Sequence, residues 1–139
     1  MEAANKGAKS VCEDGVCSLG YSIFLPFEAE TNEHVQEDHH HKNFFTRLEE
    51  FSTCDAFIAL PGGYGTILEI MTVVQLLQVN HIEDRPLILV GYENVLTMEQ
   101  MEGRLKKSGY VGLDEGPYWT LAKNPVEAAR MLLKCNDNI

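Results

Sequence analysis

The chain has 139 residues, of which 45% are hydrophobic, and it carries a formal net charge of −10. This length and composition predict a single domain over residues 1–139, large enough to bury a core of its own. The acidic excess argues against non-specific binding to nucleic acid or to an anionic membrane, because both require clustered Lys and Arg.

Membrane and export signals are not found in the sequence. No stretch approaches the roughly 18 consecutive apolar residues of a membrane span, and residues 1–9 lack the apolar core of a signal peptide. We therefore expect a cytoplasmic protein. Its four scattered cysteines are expected to be thiols, although a local disulfide or a metal site at Cys12 and Cys17 is an open alternative.

Helix-like and strand-like segments alternate along the chain. The patterns predict helices over residues 2–10, 41–53, 66–80, 97–107 and 125–135, and strands over 19–25, 55–60, 87–91 and 118–122. Pro26 stops the first strand, and Asn124 caps the last helix, with Pro125 in its first position. This alternation is typical of an α/β fold with a doubly wound, mainly parallel sheet and helices on both faces.

The most informative segment joins the strand over 55–60 to the helix over 66–80. Glycines in such a turn let a ligand approach the backbone, and the N–H groups of the helix start favour an anion. We expect a phosphate there, at the carboxyl end of the strand. The predicted phosphate-binding residues are Gly62, Gly63, Tyr64, Gly65 and Thr66.

Glu69 adds a carboxylate to this turn. Its expected place in the first helical turn favours the ionised form, which suits a stabiliser of positive charge or a base. Two structural alternatives remain open. Thr66 and Glu69 fit a capping box, and the glycines could serve only close packing of strand and helix.

A polar segment, Glu28 to His41, separates the first strand from the second helix. We expect a loop there. The consecutive histidines His39, His40 and His41 raise the alternative of a metal site, but adjacent side chains point in different directions and rarely converge on one ion. No metal and no cofactor are expected.

The chain resembles the LOG (Lonely Guy) family of nucleotide phosphoribohydrolases, formerly labelled lysine decarboxylase-like. Pro61 to Glu69 matches the family motif Pro-Gly-Gly-x-Gly-Thr-x-x-Glu in full. Similar segments flank it: residues 1–8 resemble the first family helix, residues 25–28 the end of a strand, residues 55–60 the strand entering the motif, and residues 85–89 the following strand. The resemblance implies a Rossmann-like fold.

The resemblance further implies hydrolysis of the N-glycosidic bond of a nucleoside 5′-monophosphate, such as a cytokinin riboside monophosphate or AMP, to free base and ribose 5-phosphate. Glu69 would stabilise the oxocarbenium-like transition state and orient water. Family members pair this glutamate with an arginine on the preceding helix, and Arg47 takes that role here, on the phosphate or the departing base. The alternative for Arg47 is a surface ion pair with Glu49 or Glu50.

The sequence departs from the family pattern at the arginine and at its start. Arg47 lies about one residue closer to the strand than is usual in the family. Leu48 stands where a lysine usually follows the arginine, and the chain begins within what resembles the first family helix, without the usual first strand and its loops. A shortened sheet would leave edges and apolar faces that association covers, so we expect a homodimer or a higher homo-oligomer, as in the family. The alternatives to the enzyme are a non-catalytic nucleotide- or phosphorylated-cofactor-binding module, an inactive truncated relative, and a structural subunit.

Overall fold

The computed structural model describes residues 2–24 and 31–136. Internal contacts divide the chain into two compact units, residues 1–53 and 54–139. The expected strand end at Leu25, the stop at Pro26 and the start of the polar segment at Glu28 lie outside the described residues. The single domain over 1–139 stays a prediction.

The described residues of the first unit form a two-stranded parallel sheet and two helices. They are α1 (Glu2–Ser10), β1 (Leu19–Ile23), β2 (Glu37–His41) and α2 (Phe44–Phe51). In the register of β1 and β2, Leu19 lies opposite Glu37 and Ile23 opposite His41. Helix α2 contacts both strands.

Strand β2 corrects the expectation of a loop through His41. The segment has no run of branched or apolar residues, so its sequence gives little sign of a strand. Its polar side chains find partners across the sheet: the Ser22 hydroxyl donates to Asp38 Oδ2 at 2.9 Å and lies 2.9 Å from His40 Nδ1. Parallel pairing with β1 gives its backbone hydrogen-bond partners along one edge.

Helix α2 begins three residues later than expected. Asn43 is its N-cap, with an extended backbone, and its side chain accepts hydrogen bonds from the N–H groups of Phe45 and Thr46 at 2.9 and 3.1 Å. An asparagine that caps in this way sets the helix start, because it satisfies donors that lack a partner within the helix.

Cys12 and Cys17 form a disulfide bond, which corrects the expectation that both are thiols. The bond closes a loop of short sequence separation between α1 and β1. Cys54 and Cys135 are thiols, as expected.

The second unit is a three-stranded parallel sheet with three helices. Its elements are β3 (Phe57–Ala59), α3 (Tyr64–Gln78), β4 (Leu87–Val90), α4 (Tyr92–Lys107), β5 (Thr120–Ala122) and α5 (Pro125–Asn136). The strand order is β3-β4-β5, and both pairings are parallel. Each helix follows a strand, so the unit has the alternating α/β pattern of a Rossmann-like fold.

Strand β4 forms the centre of the core, and all four of its side chains are buried. Ile88 and Val90 pack with Ala122 of β5 and Ala128 of α5. Successive side chains of a strand point to opposite faces, so Leu87 and Leu89 lie on the other face, where they are also buried. Both faces of β4 are therefore covered, as expected for a doubly wound sheet.

None of the helices in the described residues combines the length and apolar character that a membrane crossing requires.

Candidate functional site

The glycine-rich turn follows β3 and ends at the first residue of α3. Gly63 is the N-cap of the helix, with φ −93° and ψ −153°, and no side chain caps the helix start. The first backbone hydrogen bond of the helix runs from the Ile67 N–H to the Gly63 carbonyl, at 3.1 Å. The preceding N–H groups point out of the helix end, where a phosphate can accept from them.

Thr66 lies inside α3 and not at its start, so the capping box of Thr66 and Glu69 is wrong. The Thr66 side chain covers the backbone of Gly62. A Cβ added to Gly62 would lie 2.8 Å from Thr66 Cβ, and closer still to its hydroxyl oxygen. Gly62 therefore has a structural reason to be glycine, which supports the packing alternative at this position.

The other two glycines of the turn have no such reason. A Cβ added to Gly63 or Gly65 would meet no atom within 4 Å. The neighbouring Tyr64 side chain is 94% exposed. The turn therefore presents an open surface that a ligand could occupy, and packing alone does not explain Gly63 and Gly65.

Glu69 is the sixth residue of α3 and is half-buried. The first turn of the helix contains no acidic residue, which corrects the expected position of Glu69. The influence of the helix dipole falls off within the first turn, so the dipole is a weak reason for ionisation here. Side chains of a helix generally lean toward its N-terminus, which for Glu69 is the direction of the glycine turn.

Arg47 belongs to the first unit, on α2, and is half-buried. Its guanidinium carbon lies 5.7 Å from the centre of the Phe44 ring, within range of a cation–π contact. This contact orients the side chain along the helix. The contact with Phe44 does not decide between a role of Arg47 at a substrate and a surface ion pair with Glu49 or Glu50.

A small cavity lies beside the turn in the second unit, with a volume of about 140 Å³. Pro61 and Gly62 form one side of it, and Glu93 and Thr97 of α4 another. Ile67, Ile70 and Met98 supply apolar walls. Small-molecule sites usually have volumes of about 300–1,000 Å³, so this cavity can hold only part of a nucleotide.

Glu93 and Thr97 were not singled out from the sequence, because α4 was expected to begin at Thr97. The helix begins at Tyr92, after Gly91 with φ 87°. The signal was present as a second strand-glycine-helix junction, Val90-Gly91-Tyr92, with an acidic residue directly after it.

The histidines of β2 contact carboxylates. His39 lies between Glu37 and Glu50, and His41 Nε2 lies 3.1 Å from Glu50 Oε2. Among residues 2–24 and 31–136, no group of His, Cys, Asp and Glu has the arrangement of a metal site.

Comparison with known proteins places the chain in a family. No curated protein sequence matches it. The family model described as "possible lysine decarboxylase" matches residues 1–132 of the 139-residue chain. The protein therefore belongs to this family, the LOG-like group that the motif from Pro61 to Glu69 indicates.

Proposed function

We propose that this protein hydrolyses the N-glycosidic bond of a nucleoside 5′-monophosphate, releasing the free base and ribose 5-phosphate. The observation that carries the proposal is the uncapped start of α3 at an open glycine turn, with Glu69 further along the same helix. Membership of the LOG-like family supports it.

The phosphate is the first group to be held. Tyr64, Gly65 and Thr66 supply the N–H groups of the helix start, and the positive end of the helix dipole favours a dianion there. The Thr66 hydroxyl adds a further donor. The chain has a net charge of −10, so a phosphate depends on these local donors and not on a general attraction.

Glu69 is the proposed catalytic residue. Departure of the base builds positive charge on the ribose, and a carboxylate near the sugar stabilises that charge and orients the attacking water. A helix places the Cα of Glu69 about 7.5 Å along the axis from that of Tyr64, and the side chain leans back toward the turn. The proposal requires the sugar of a phosphate-bound substrate to lie on this side of the helix.

Arg47 is the second proposed catalytic residue, with a charge-assisted contact to the phosphate or to the departing base. Arg47 lies in the other unit, so its role is tested separately from that of Glu69. If both residues act on one substrate, the effect of Arg47→Ala on kcat/KM should depend on whether Glu69 is intact.

The direct experiment incubates the purified protein with a panel of 5′-monophosphates, including AMP and cytokinin riboside monophosphates, and measures ribose 5-phosphate. Glu69→Gln should abolish release while Glu99→Gln, an exposed carboxylate of α4, should not. A ligand-dependent rise in melting temperature without release would support the non-catalytic module. If ribose 5-phosphate is not released and the melting temperature does not rise, both the enzyme and the nucleotide-binding module are refuted, and a structural subunit is supported.

We also propose a homodimer or higher homo-oligomer. Large apolar side chains are exposed in both units, among them Phe45 at 83%, Leu113 at 78% and Leu133 at 67%. Association would remove such surfaces from water. Light scattering coupled to size-exclusion chromatography tests this, and a monomer mass of 15.6 kDa at micromolar concentration would refute it.

A further inference from the structure

His39 is held between two carboxylates in the first unit. Its Nδ1 contacts Glu50 Oε1 on α2, and its Nε2 lies 3.0 Å from Glu37 Oε1 on its own strand. The second oxygen of Glu50 lies 3.1 Å from His41 Nε2. Glu37, His39 and His41 alternate along β2 and therefore share one face of the strand.

The two contacts of His39 restrict its protonation state. A neutral imidazole has one N–H group and can donate to one carboxylate, so its other nitrogen would oppose an acceptor. An imidazolium donates from both nitrogens. Hydrogen bonds to Glu50 first, and then to Glu37, raise the pKa of His39 above its ordinary value, against a smaller opposing effect of desolvation.

We propose that His39 is an imidazolium bridge that positions α2 on the β1–β2 sheet, and that loss of its proton releases the helix end at Glu50. Helix α2 also carries Arg47, one turn before Glu50. The consequence for catalysis rests on the role given to Arg47 in the proposed function. In that reaction His39 and Glu50 are positioning residues, since they act through Arg47.

Neighbouring side chains of β1 and β2 also face the bridge. From β1, the Tyr21 ring lies edge-on to His39, with ring centres 5.5 Å apart, and 6.1 Å from the ring of His41. His41 is nearly buried, with 11% of its side chain exposed. Asp38 and His40 lie on the opposite face of β2, as their contacts with Ser22 show.

The sign of the pH effect follows from the raised pKa. A histidine whose folded pKa exceeds its unfolded value contributes stability below the unfolded pKa, and this contribution disappears as pH rises through the folded pKa. The hold on α2 should therefore weaken as the pH rises through the pKa of His39, and not as the pH falls. Glu50, whose carboxylate contacts both His39 and His41, lies at the end of α2 that would be released.

Nitrogen-15 NMR of the histidine side chains tests the bridge without any substrate. At pH 6.5, where an unperturbed histidine is about half protonated, His39 should show both nitrogens protonated in most molecules. Glu50→Gln and Glu37→Gln should each lower its pKa, and Glu50→Gln should lower it more. His40→Gln is the matched control, because His40 lies on the other face, and it should leave the His39 titration unchanged.

Hydrogen exchange and kinetics test the positioning role. Protection factors of the α2 amides should fall as the pH rises through the His39 pKa. The midpoint of this fall should move to lower pH in Glu50→Gln but not in His40→Gln. In the wild-type enzyme, kcat/KM should fall with the same midpoint, and this limb should move with it in Glu50→Gln. A merely structural contact would not produce such a shared midpoint.

Several results would overturn the inference. A His39 that is mostly neutral at pH 6.5 excludes the bridge, and α2 protection that ignores the His39 titration excludes the positioning role. If the wild-type protein hydrolyses no monophosphate while these two measurements behave as expected, the proposed function fails and the bridge stands. If kcat/KM does not fall at high pH with the midpoint of the His39 titration, the effect of the bridge on catalysis through Arg47 is excluded.

Discussion

Gly62→Ala should distort the phosphate turn from within. Its added Cβ would lie 2.8 Å from Thr66 Cβ, a separation that two carbon atoms do not tolerate. Thr66 is held in α3 by the helix backbone, and rotation of its side chain does not move its Cβ. Either the turn or the first turn of α3 must therefore shift.

The expected cost is that of inserting a methyl group into a filled position, about 1–3 kcal/mol. For a chain of this length, 1 kcal/mol corresponds to about 4 °C in melting temperature. Gly62→Ala should thus melt roughly 4–12 °C below the wild-type protein.

Two further glycines provide matched controls. A Cβ at Gly65 in α3 or Gly103 in α4 meets no atom within 4 Å, so these replacements cause no clash. Alanine in a helix is more favourable than glycine by about 0.5–1 kcal/mol, and both variants should melt slightly higher than the wild type. Gly65→Ala, however, fills open space at the turn.

The assay is thermal unfolding with and without millimolar ribose 5-phosphate, since a bound ligand raises the melting temperature by mass action. Gly103→Ala should keep the full ligand shift, whereas Gly65→Ala should reduce it despite its higher stability. Gly62→Ala should lose both stability and the shift. If Gly62→Ala melts with the wild type and keeps the ligand shift, Thr66 does not cover Gly62 and the description of the turn is wrong.

Three other predictions concern the second unit. Leu89→Ala should lower the free energy of unfolding of this unit by about 2–5 kcal/mol in urea, because Leu89 is 0% exposed. Leu121 is 40% exposed, so Leu121→Ala should cost clearly less, and equal costs would contradict the core described. Asn124→Ala should cost about 1 kcal/mol, since its side chain accepts from the Glu127 N–H at 2.9 Å, and an unchanged unfolding midpoint would argue against this cap. Hydrogen bonds from the Gln78 amide, and then from the Gly112 N–H, lower the pKa of Glu115, so Gln78→Ala should raise that pKa in a carbon-13 NMR titration. A lowered pKa gives stability that is lost as pH falls through it, so the variant should also lose less stability on acidification. An unchanged Glu115 titration would contradict the contact with Gln78.

The sequence predicted the second unit well, because its signals are hydrophobic and local. Leu87 to Val90 is a continuous apolar run, as expected for a strand buried on both faces, and Asn124 followed by Pro125 marks the start of a helix. The family motif also located the glycine turn between β3 and α3. These features require no knowledge of distant contacts.

The first unit was harder to predict. Strand β2 is Glu-Asp-His-His-His, and it becomes a strand only because β1 supplies hydrogen bonds to its backbone and partners to its side chains. The sequence of the segment alone could not show this. The disulfide of Cys12 and Cys17 was an alternative to the expected thiols, and its formation depends on how the chain brings the two residues together.

The roles of the candidate site residues stay a prediction, and the sequence misplaced two helix starts around them. The start of α3 at Tyr64 moved Glu69 out of the first turn and removed the capping box, since Gly63 occupies the cap. Glu93 was missed because the expected start of α4 was five residues too late. Helix boundaries depend on caps and on neighbouring strands, so small errors there change the roles of single residues.

Gly91 gives the motif a dependence on a distant part of the chain. Its φ of 87° suits glycine, and a Cβ placed there would lie 3.3 Å from Pro61 Cγ. Pro61 therefore rests against the backbone that leaves the neighbouring strand. Transplanting residues 61–69 into another α/β protein would not by itself transfer the shape of the turn, and the recipient would also need a glycine at the end of the adjacent strand.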